Sequence, residues 1–219
     1  MRIICDFDGT AAQDDVGNLL FRAFADGRCH DIIRLWKAGE INSKECLQQE
    51  CDIARVSREQ LCEFVDVQKL DPRFPKFVQF CKSNNIEVEI ASDGLDFYIE
   101  RMLENHELGS AVKVKANHLI FSGDERLAAE FPYFEKGCGH CGNCKGYHVA
   151  EAKKKGHFVL YVGDGWSDRC GARAADFVLA KKKRELVTYC RENDIAHCEF
   201  GDFSDVIKIT TKFLAEATF

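Results

Sequence analysis

The strongest constraint on the fold is the start of the chain, where an apolar run ends abruptly in acidic residues. Residues Arg2 to Asp6 predict a buried strand, and Phe7-Asp8-Gly9-Thr10 follows directly. If the strand continues, Asp6 and Asp8 point to the same side, because side chains alternate along a strand. Gly9 permits a tight turn there. Two carboxylates so close repel each other, and a divalent cation such as Mg²⁺ would relieve that repulsion.

Further strand-like runs, with helical patterns between most of them, predict an α/β fold. The expected architecture is a Rossmann-like parallel sheet flanked by helices. The later predicted strands cover residues 86–92, 112–120, 158–163 and 176–180. Because 86–91 alternates apolar and acidic residues, we expect that strand at an edge of the sheet or under a basic helix. The lysine runs 153–155 and 181–184 predict solvated helix faces.

The segment from residue 15 to residue 70 lacks strand patterns and is dominated by helical ones. Ser57-Arg58-Glu59-Gln60 has the form of a capping box, and apolar residues follow it at helical spacing. We therefore predict a Rossmann-like core from residues 1–14 and 71–219, with a small helical bundle inserted at 15–70. Within the core, residues 116–144 are expected to form a flap and a cysteine-rich loop.

Two later segments place polar groups where predicted strands end. Ser92-Asp93-Gly94 ends the second strand, and Gly163-Asp164-Gly165, followed by Asp168, ends another. In an open α/β sheet, ligands bind outside the carboxyl ends of the strands, so these groups should meet Asp6 and Asp8 in one crevice. Lys145, at the start of a predicted helix, supplies a positive charge that suits phosphate.

The chain resembles the haloacid-dehalogenase superfamily of phosphotransferases in its four motifs. In chain order these are Asp6 to Thr10, Ser92, Lys145, and Gly163-Asp164-Gly165 with Asp168, so the match spans the chain. The resemblance is to the phosphoserine-phosphatase-like branch, which has a small mobile cap after the first motif. It implies that the helical insertion 15–70 is this cap and that 1–14 and 71–219 form the catalytic core. It implies a Mg²⁺-dependent phosphatase, a phosphoric monoester hydrolase that acts on a small phosphorylated metabolite through an aspartyl-phosphate intermediate.

The resemblance also implies a role for each site residue. Asp6 would be the nucleophile, and Asp8 the general acid that later serves as general base. Asp6, the backbone carbonyl of Asp8 and Asp164 would bind Mg²⁺, with Asp168 orienting this shell. The groups implied for phosphate binding are Ser92, Asp93 and Gly94 (the latter two through the backbone), and Lys145.

Within the branch, the chain is most similar to methionine-salvage phosphatases, which act on an enol phosphate, 2-hydroxy-3-keto-5-methylthiopentenyl-1-phosphate. The similarity rests on Asp15, on Asp96-Phe97-Tyr98 and on the cysteine-rich loop before Lys145. Phosphocholine and phosphoethanolamine phosphatases also carry such a loop and a Ser-Asp pair like Ser92-Asp93. Phosphoserine phosphatases have glutamate where Asp15 stands, which disfavours phosphoserine and makes Asp15 the expected substrate-specificity residue.

The cysteine-rich loop contains Cys138, Cys141 and Cys144 in two overlapping Cys-x-x-Cys units. This spacing is typical of Zn²⁺ ligands, with His148 or His140 as the fourth. Free thiols and a disulfide are alternatives, and an iron–sulfur cluster lacks its fourth cysteine. Cysteines elsewhere, Cys170 among them, are predicted to be scattered singly in apolar surroundings.

The net charge of -6 argues against nucleic acid or an anionic membrane surface as the partner. There is no apolar run of membrane length, and we expect a cytoplasmic protein that is a monomer or homodimer. Two alternatives to a hydrolase stay open. One is a phosphotransferase that uses an acceptor alcohol, and the other is a non-catalytic phosphate-binding protein.

Overall fold

The computed structural model describes residues 1–123 and 125–216. The predicted core range, which ends at residue 219, and the predicted flap, which includes residue 124, therefore both extend outside the described residues. Within the described ranges, no helix combines the length and the apolar character needed to cross a membrane.

The described residues form one seven-stranded sheet with helices on both faces, which confirms the predicted α/β class. The strands are β1 (Arg2–Cys5), β2 (Glu87–Leu95), β3 (Lys113–Ser122), β4 (Arg126–Glu130), β5 (Val159–Gly163), β6 (Phe177–Lys181) and β7 (His197–Phe200). The helices are α1 (Val16–Phe24), α2 (Cys29–Lys37), α3 (Ser43–Ile53), α4 (Arg58–Asp66), α5 (Phe74–Ser83), α6 (Asp96–Glu104), α7 (Lys145–Lys154), α8 (Arg169–Ala174), α9 (Glu185–Glu192) and α10 (Phe203–Glu216).

Strand β1 lies in the middle of the sheet, whose order is β4-β3-β2-β1-β5-β6-β7. It pairs in parallel with β2 on one side and with β5 on the other, so that Ile3 lies between Val88 and Leu160. The carboxyl ends of these three strands therefore meet at one edge of the sheet, as the sequence predicts. The remaining neighbours are also parallel, except for the antiparallel pair β3 and β4.

The core fills both faces of the sheet. Ile3 and Cys5 of β1 pack into a large cluster on one face, and Ile4 packs into a smaller cluster on the other. Each of these three side chains is fully buried. Because both faces of β1 are covered, its sequence is a continuous apolar run, as is typical of strands in parallel sheets. The strand is consequently a rigid support for the acidic residues that follow it.

The acidic side of β2 is explained by a covering helix, and the expectation of an edge strand is wrong. Strand β2 lies between β1 and β3, and its Glu89 is only 6% exposed. Helix α7, which carries several lysines, packs on this strand, and His148 Nδ1 lies 3.9 Å from Glu89 Oε1. The alternation of 86–91 thus reflects a basic helix above the strand, which was the other predicted arrangement.

Helices α1 to α4 occupy most of the segment predicted as a cap, and the capping box at the start of α4 is confirmed. Ser57 Oγ accepts from Gln60 N, and the Gln60 side chain accepts from Ser57 N. The two chain connections to this helical segment (residues 15–70) run antiparallel beside each other. Gln13 N donates to Lys69 O at 2.9 Å, and Asp71 N donates to Ala11 O at 2.8 Å. We call this pair of connections the double tether.

Two strands go beyond the predicted ones, β4, which lies inside the predicted flap, and β7. Strand β4 forms a hairpin with β3 in which His118 pairs with Glu130 and Ser122 with Arg126. Strand β7 adds to the other edge beside β6. Both are short edge strands whose side chains are largely exposed or partly buried. Such strands lack the apolar patterning on which sequence prediction depends.

Candidate active site

The turn that follows β1 brings Asp6 and Asp8 into the crevice and is closed by Gly9. Gly9 has a φ of 71°, a conformation that costs other residues about 1–2 kcal/mol. A Cβ at this position would lie only 2.6 Å from Asp164 Oδ2. Lys181 Nζ donates to Gly9 O at 2.6 Å and holds the turn against β6. The lysine run 181–184 is therefore not simply a solvated helix face, and that prediction is wrong for Lys181.

Lys145 lies at the centre of the site and is 1% exposed. Its ammonium group donates to Asp6 Oδ1 at 2.6 Å, to Asp168 Oδ1 at 2.6 Å and to Ser167 Oγ at 2.7 Å. Burial opposes the charge on Lys145, but the negative charges of Asp168 and Asp6 outweigh this and hold its pKa well above the ordinary value. The lysine is therefore a fixed cation beside the predicted nucleophile.

Asp168 has its two carboxylate oxygens fully engaged and is itself 0% exposed. Besides Lys145, Oδ1 accepts from the hydroxyl of Tyr161 at 2.6 Å. Oδ2 accepts from the backbone amides of Asp164 and Gly165, each at 2.8 Å. With both oxygens occupied, Asp168 orients Lys145 and the loop that carries Asp164. Its geometry supports the orienting role that was predicted for it.

The acidic groups at this edge fit a divalent cation by charge and by position. One carboxylate oxygen each from Asp6, Asp164 and Asp168 lie within 4.8 Å of one another. The three carboxylates face the ammonium of Lys145 and, 3.7 Å from Asp164, the half-exposed guanidinium of Arg184, so negative charge stays in excess. Burial, followed by the charge of Asp168, raises the pKa of Asp6 well above its usual range and that of Asp164 to about 6. Hard oxygen ligands in this arrangement suit Mg²⁺.

Asp8 has different surroundings from Asp6. Its Oδ1 accepts from the amides of Val16 at 2.9 Å and Gly17 at 3.3 Å, in the first turn of α1. Its Oδ2 accepts from the hydroxyl of Tyr98 at 2.6 Å. Burial, and then the nearby charge of Asp15, raise the pKa of Asp8 to about 7. A carboxyl with this pKa can donate or accept a proton near neutral pH.

The structure brings only some of the predicted phosphate-binding side chains to the site. Ser92 is 1% exposed, and its hydroxyl lies 3.5 Å from Asp8 Oδ2. The side chain of Asp93 turns away and accepts from Asn143 N at 2.7 Å. At Gly94 a Cβ would lie 2.8 Å from Asp8 Oδ2, so its backbone packs directly against the site. Ser92, Gly94 and Lys145 thus border the site, and the Asp93 side chain ties it to the cysteine-rich loop.

A cavity of about 590 Å³ joins these groups to the helical segment. Asp6, Asp8 and Asp164 line it from the core side. Asp15, the predicted specificity residue, also lines it and accepts from Asn18 N at 2.9 Å as the N-cap of α1. The cavity has the size of a site for a small metabolite.

Glu50 lines the same cavity and was not singled out by the sequence. It is 7% exposed, and burial followed by the charge of Asp15 raises its pKa to about 8. The thiol of Cys46 lies 3.8 Å from its Oε2. A lone glutamate inside a helical stripe carries no pattern that marks it as facing a cavity. The helix packing alone reveals it.

The cysteine-rich loop contains a group that the sequence patterns missed. The sulfurs of Cys138, Cys141, Cys144 and Cys170 all lie within 4.8 Å of one another. The prediction that Cys170 is a scattered apolar cysteine is therefore wrong. None of the 12 cysteines, all of which lie in the described part of the chain, is paired in a disulfide. His148, the predicted fourth ligand, instead has its Nε2 2.6 Å from Asn143 Oδ1.

Comparisons with known proteins identify the family of the chain. The sequence model of the family Put_Phosphatase, described as "Putative Phosphatase", matches residues 1–213. The chain belongs to this family. Two relatives are named 2-hydroxy-3-keto-5-methylthiopentenyl-1-phosphate phosphatase. The protein from Brevibacillus brevis is 30% identical over 94% of this chain and 93% of its own, and that from Bacillus mycoides is 28% identical over 94% of each.

Solved structures confirm the haloacid-dehalogenase fold of this Put_Phosphatase member. A substrate-bound phosphoserine phosphatase superposes with a TM-score of 0.73 at 19% identity, covering 95% of this chain and 97% of that one. A HAD family hydrolase from Salmonella enterica serovar Typhi gives a TM-score of 0.72 at 18% identity, covering 92% and 68%. The family membership makes the protein a phosphatase, a phosphoric monoester hydrolase, and the solved structures show that it has the haloacid-dehalogenase fold.

The close approach of Gly9 to Asp164 leads to a matched pair of substitutions. Gly9→Ala and Gly39→Ala each place a side chain at a positive φ, 71° and 75°, but a Cβ at Gly39 has open space. We expect both to lower the free energy of unfolding by about 1–2 kcal/mol, measured by urea denaturation. Only Gly9→Ala should also reduce kcat for p-nitrophenyl phosphate, by about 10²-fold, because it displaces Asp164. Equal activities in the two variants would contradict this role of Gly9.

Proposed function

We propose that the protein is a Mg²⁺-dependent phosphatase that hydrolyses a small phosphorylated metabolite through an aspartyl-phosphate formed on Asp6. The observation that carries the proposal is the contrast between two neighbouring carboxyl groups. Burial raises the pKa of both, but Asp6 is paired at 2.6 Å with the fixed ammonium of Lys145, which favours its ionised form. Among the described residues, Asp8 accepts hydrogen bonds only from uncharged donors, and its pKa is raised to about 7. A carboxylate beside a fixed cation suits a nucleophile, and a carboxyl that titrates near neutral pH suits a proton donor and acceptor.

In this mechanism, the carboxylate of Asp6 attacks phosphorus while Asp8 donates its proton to the leaving oxygen. Asp8, now ionised, then accepts a proton from the water that hydrolyses the aspartyl-phosphate. Lys145 and Ser92 would hold phosphate oxygens in place, together with backbone amides near Asp93 and Gly94. Bound Mg²⁺, held by Asp6, Asp164 and the carbonyl of Asp8, would neutralise negative charge between enzyme and phosphate.

We also propose that the helical segment acts as a cap. Its residues Asp15, Trp36 and Glu50 line the cavity opposite Asp6, so substrate atoms beyond the phosphate would contact them. The cavity volume of about 590 Å³ favours compact substrates. Such a cap excludes water during the attack on phosphorus and places substrate selection in the helical segment.

The first candidate substrate is the enol phosphate of methionine salvage. The relatives from Brevibacillus brevis and Bacillus mycoides carry this substrate in their names and align with 94% of the chain. The second candidate is a phosphorylated amino alcohol, such as phosphoethanolamine or phosphocholine. The buried carboxyl of Glu50 favours it, because Glu50 and Asp15 together would bind a cationic group inside the cavity. Trp36, which also lines the cavity, could contact a quaternary ammonium through its ring.

The proposed nucleophile and metal are tested together. Asp6→Asn should lower kcat for p-nitrophenyl phosphate by at least about 10³-fold, because a carboxamide does not form the acyl phosphate. EDTA should abolish activity, and added Mg²⁺ should restore it in the wild type but not in Asp6→Asn. Hydrolysis that survives both treatments would overturn the mechanism. Product analysis with added alcohol separates a hydrolase from a phosphotransferase, and inactivity on all phosphate esters would favour a binding protein.

Tyr98 gives a test of the acid–base role of Asp8. Its hydrogen bond stabilises the ionised carboxylate and lowers the pKa of Asp8, so Tyr98→Phe should raise that pKa further above about 7. Activity that needs protonated Asp8 falls as pH rises through this pKa. With an alkyl phosphate, whose leaving group needs a proton, the basic limb of the kcat profile should therefore move to higher pH in Tyr98→Phe. Tyr133→Phe is the control and should leave the limb in place, and an unshifted limb in Tyr98→Phe would contradict the assignment.

Glu50 separates the two candidate substrates. If a cationic group binds there, kcat/KM should be highest for phosphoethanolamine or phosphocholine, and Glu50→Gln should lower it by about 10- to 100-fold. The same variant should leave p-nitrophenyl phosphate hydrolysis unchanged. If the enol phosphate is the substrate, it should have the highest kcat/KM and respond little to Glu50→Gln. Glu40→Gln, an exposed change in the same segment, is the control for both measurements.

A further inference from the structure

The proposed mechanism uses none of the sulfurs of the four-cysteine group. Three of its sulfurs come from the loop Cys138 to Cys144, and the fourth comes from Cys170 on α8. The sulfurs of Cys138 and Cys141 are 3.5 Å apart. Four sulfurs from two separate segments thus converge on one point.

These distances fit a single tetrahedral ion. With Zn–S bonds of about 2.3 Å, the sulfurs of a tetrahedral site are about 3.8 Å apart. The four sulfurs lie within 4.8 Å of one another, and the 3.5 Å between Cys138 and Cys141 is close to the tetrahedral value. It is far longer than the roughly 2.05 Å of a disulfide. An iron–sulfur cluster would spread its thiolates over two or more iron atoms and hold some of them farther apart. We propose that Cys138, Cys141, Cys144 and Cys170 bind one structural Zn²⁺ ion.

The surroundings favour thiolates in this group. Cys141 N donates to Cys138 Sγ at 3.4 Å, a contact that stabilises negative charge on sulfur. Cys144 occupies the N-cap of α7, where the peptide dipoles favour an anion, and its side chain makes no capping bond. Four thiolates around Zn²⁺ carry two net negative charges. A second and smaller cavity is lined by Arg169 and Arg173 together with Cys141 and Cys170. The two guanidinium groups can offset the negative charge of the site.

The fourth ligand in this proposal is Cys170 and not His148. Both ring nitrogens of His148 face other groups, since Nε2 lies 2.6 Å from Asn143 Oδ1 and Nδ1 lies 3.9 Å from Glu89 Oε1. The ring also packs edge-on against Tyr133, with centroids 4.8 Å apart. His148 therefore fixes Asn143, whose side-chain amide donates to Ser92 O at 2.9 Å. It supports the loop without coordinating the ion.

The ion would join two segments that position the central lysine. Cys144 directly precedes Lys145, and Cys170 follows closely after Ser167 and Asp168, to which the Lys145 ammonium donates. Zinc therefore ties the donor and its acceptors to one fixed point. The same loop also contacts the helical segment, because His140 O accepts from Ser43 N at 2.9 Å. The proposed role of zinc is to position Lys145, with no contact to substrate.

Metal analysis of wild-type protein, purified without added metal, tests the proposal independently of activity. Elemental analysis should find one zinc ion per chain. Titration with a mercurial reagent should release this zinc as the four thiols react, and a metallochromic indicator follows the release. This measurement needs no variant to fold. Four freely titrating thiols without zinc, a disulfide within the group, or iron in place of zinc would each overturn the proposal.

Three variants then assign the fourth ligand. Cys170→Ser should lose the bound zinc, whereas His148→Gln should keep it. Cys62→Ser is the matched control, since Cys62 is also a half-buried helical cysteine, and it should retain the full zinc content. Cobalt bound in place of zinc should give the visible spectrum of a tetrahedral thiolate site in the wild type and in His148→Gln. Zinc that is lost in His148→Gln and kept in Cys170→Ser would contradict the assignment.

Discussion

The site depends on the buried ammonium group of Lys145. Lys145 is 1% exposed and contacts Asp6 and Asp168 at the same distance of 2.6 Å. An ammonium group in that position is costly to bury by itself, and so are the carboxylates around it. Each is tolerated because the others are present. The ends of β1 and β5 and the start of α7 are therefore held together by charge as well as by packing.

This arrangement still leaves an excess of negative charge. Both oxygens of Asp168 accept hydrogen bonds from Lys145, Tyr161 and the Asp164 loop. Its main role is therefore to position these groups and not to bind a ligand. Asp6 and Asp164 have fewer partners, and burial, followed by the charge of Asp168, raises the pKa of each. A site with this imbalance is prepared for a cation and a phosphate together, since each offsets the charge of the other.

Sequence patterns were most successful for site residues whose position depends on their immediate neighbours in the chain. Asp6, Asp8 and Asp164 could be placed because each follows an apolar strand, and parallel strands bring their carboxyl ends together. Tyr98, Tyr161 and Cys170 could not, because their roles depend on which helix or strand packs across from them. Each contacts groups that are remote in sequence or on another element, such as Tyr98 with Asp8. Lys181 was misread for the same reason, since its carbonyl partner belongs to the turn after β1.

The double tether places the start of the helical segment directly beside the carboxyl groups of the core. Its two antiparallel connections are joined by hydrogen bonds at Gln13–Lys69 and Ala11–Asp71. The first turn of α1 lies immediately beyond them and supplies the two amides that bind Asp8. The pKa of Asp8 is raised chiefly by burial and then by the charge of Asp15, and these amides act in the opposite direction. Asp15 and both amide donors belong to the helical segment, so the proton affinity of a carboxyl in the core depends on where that segment lies.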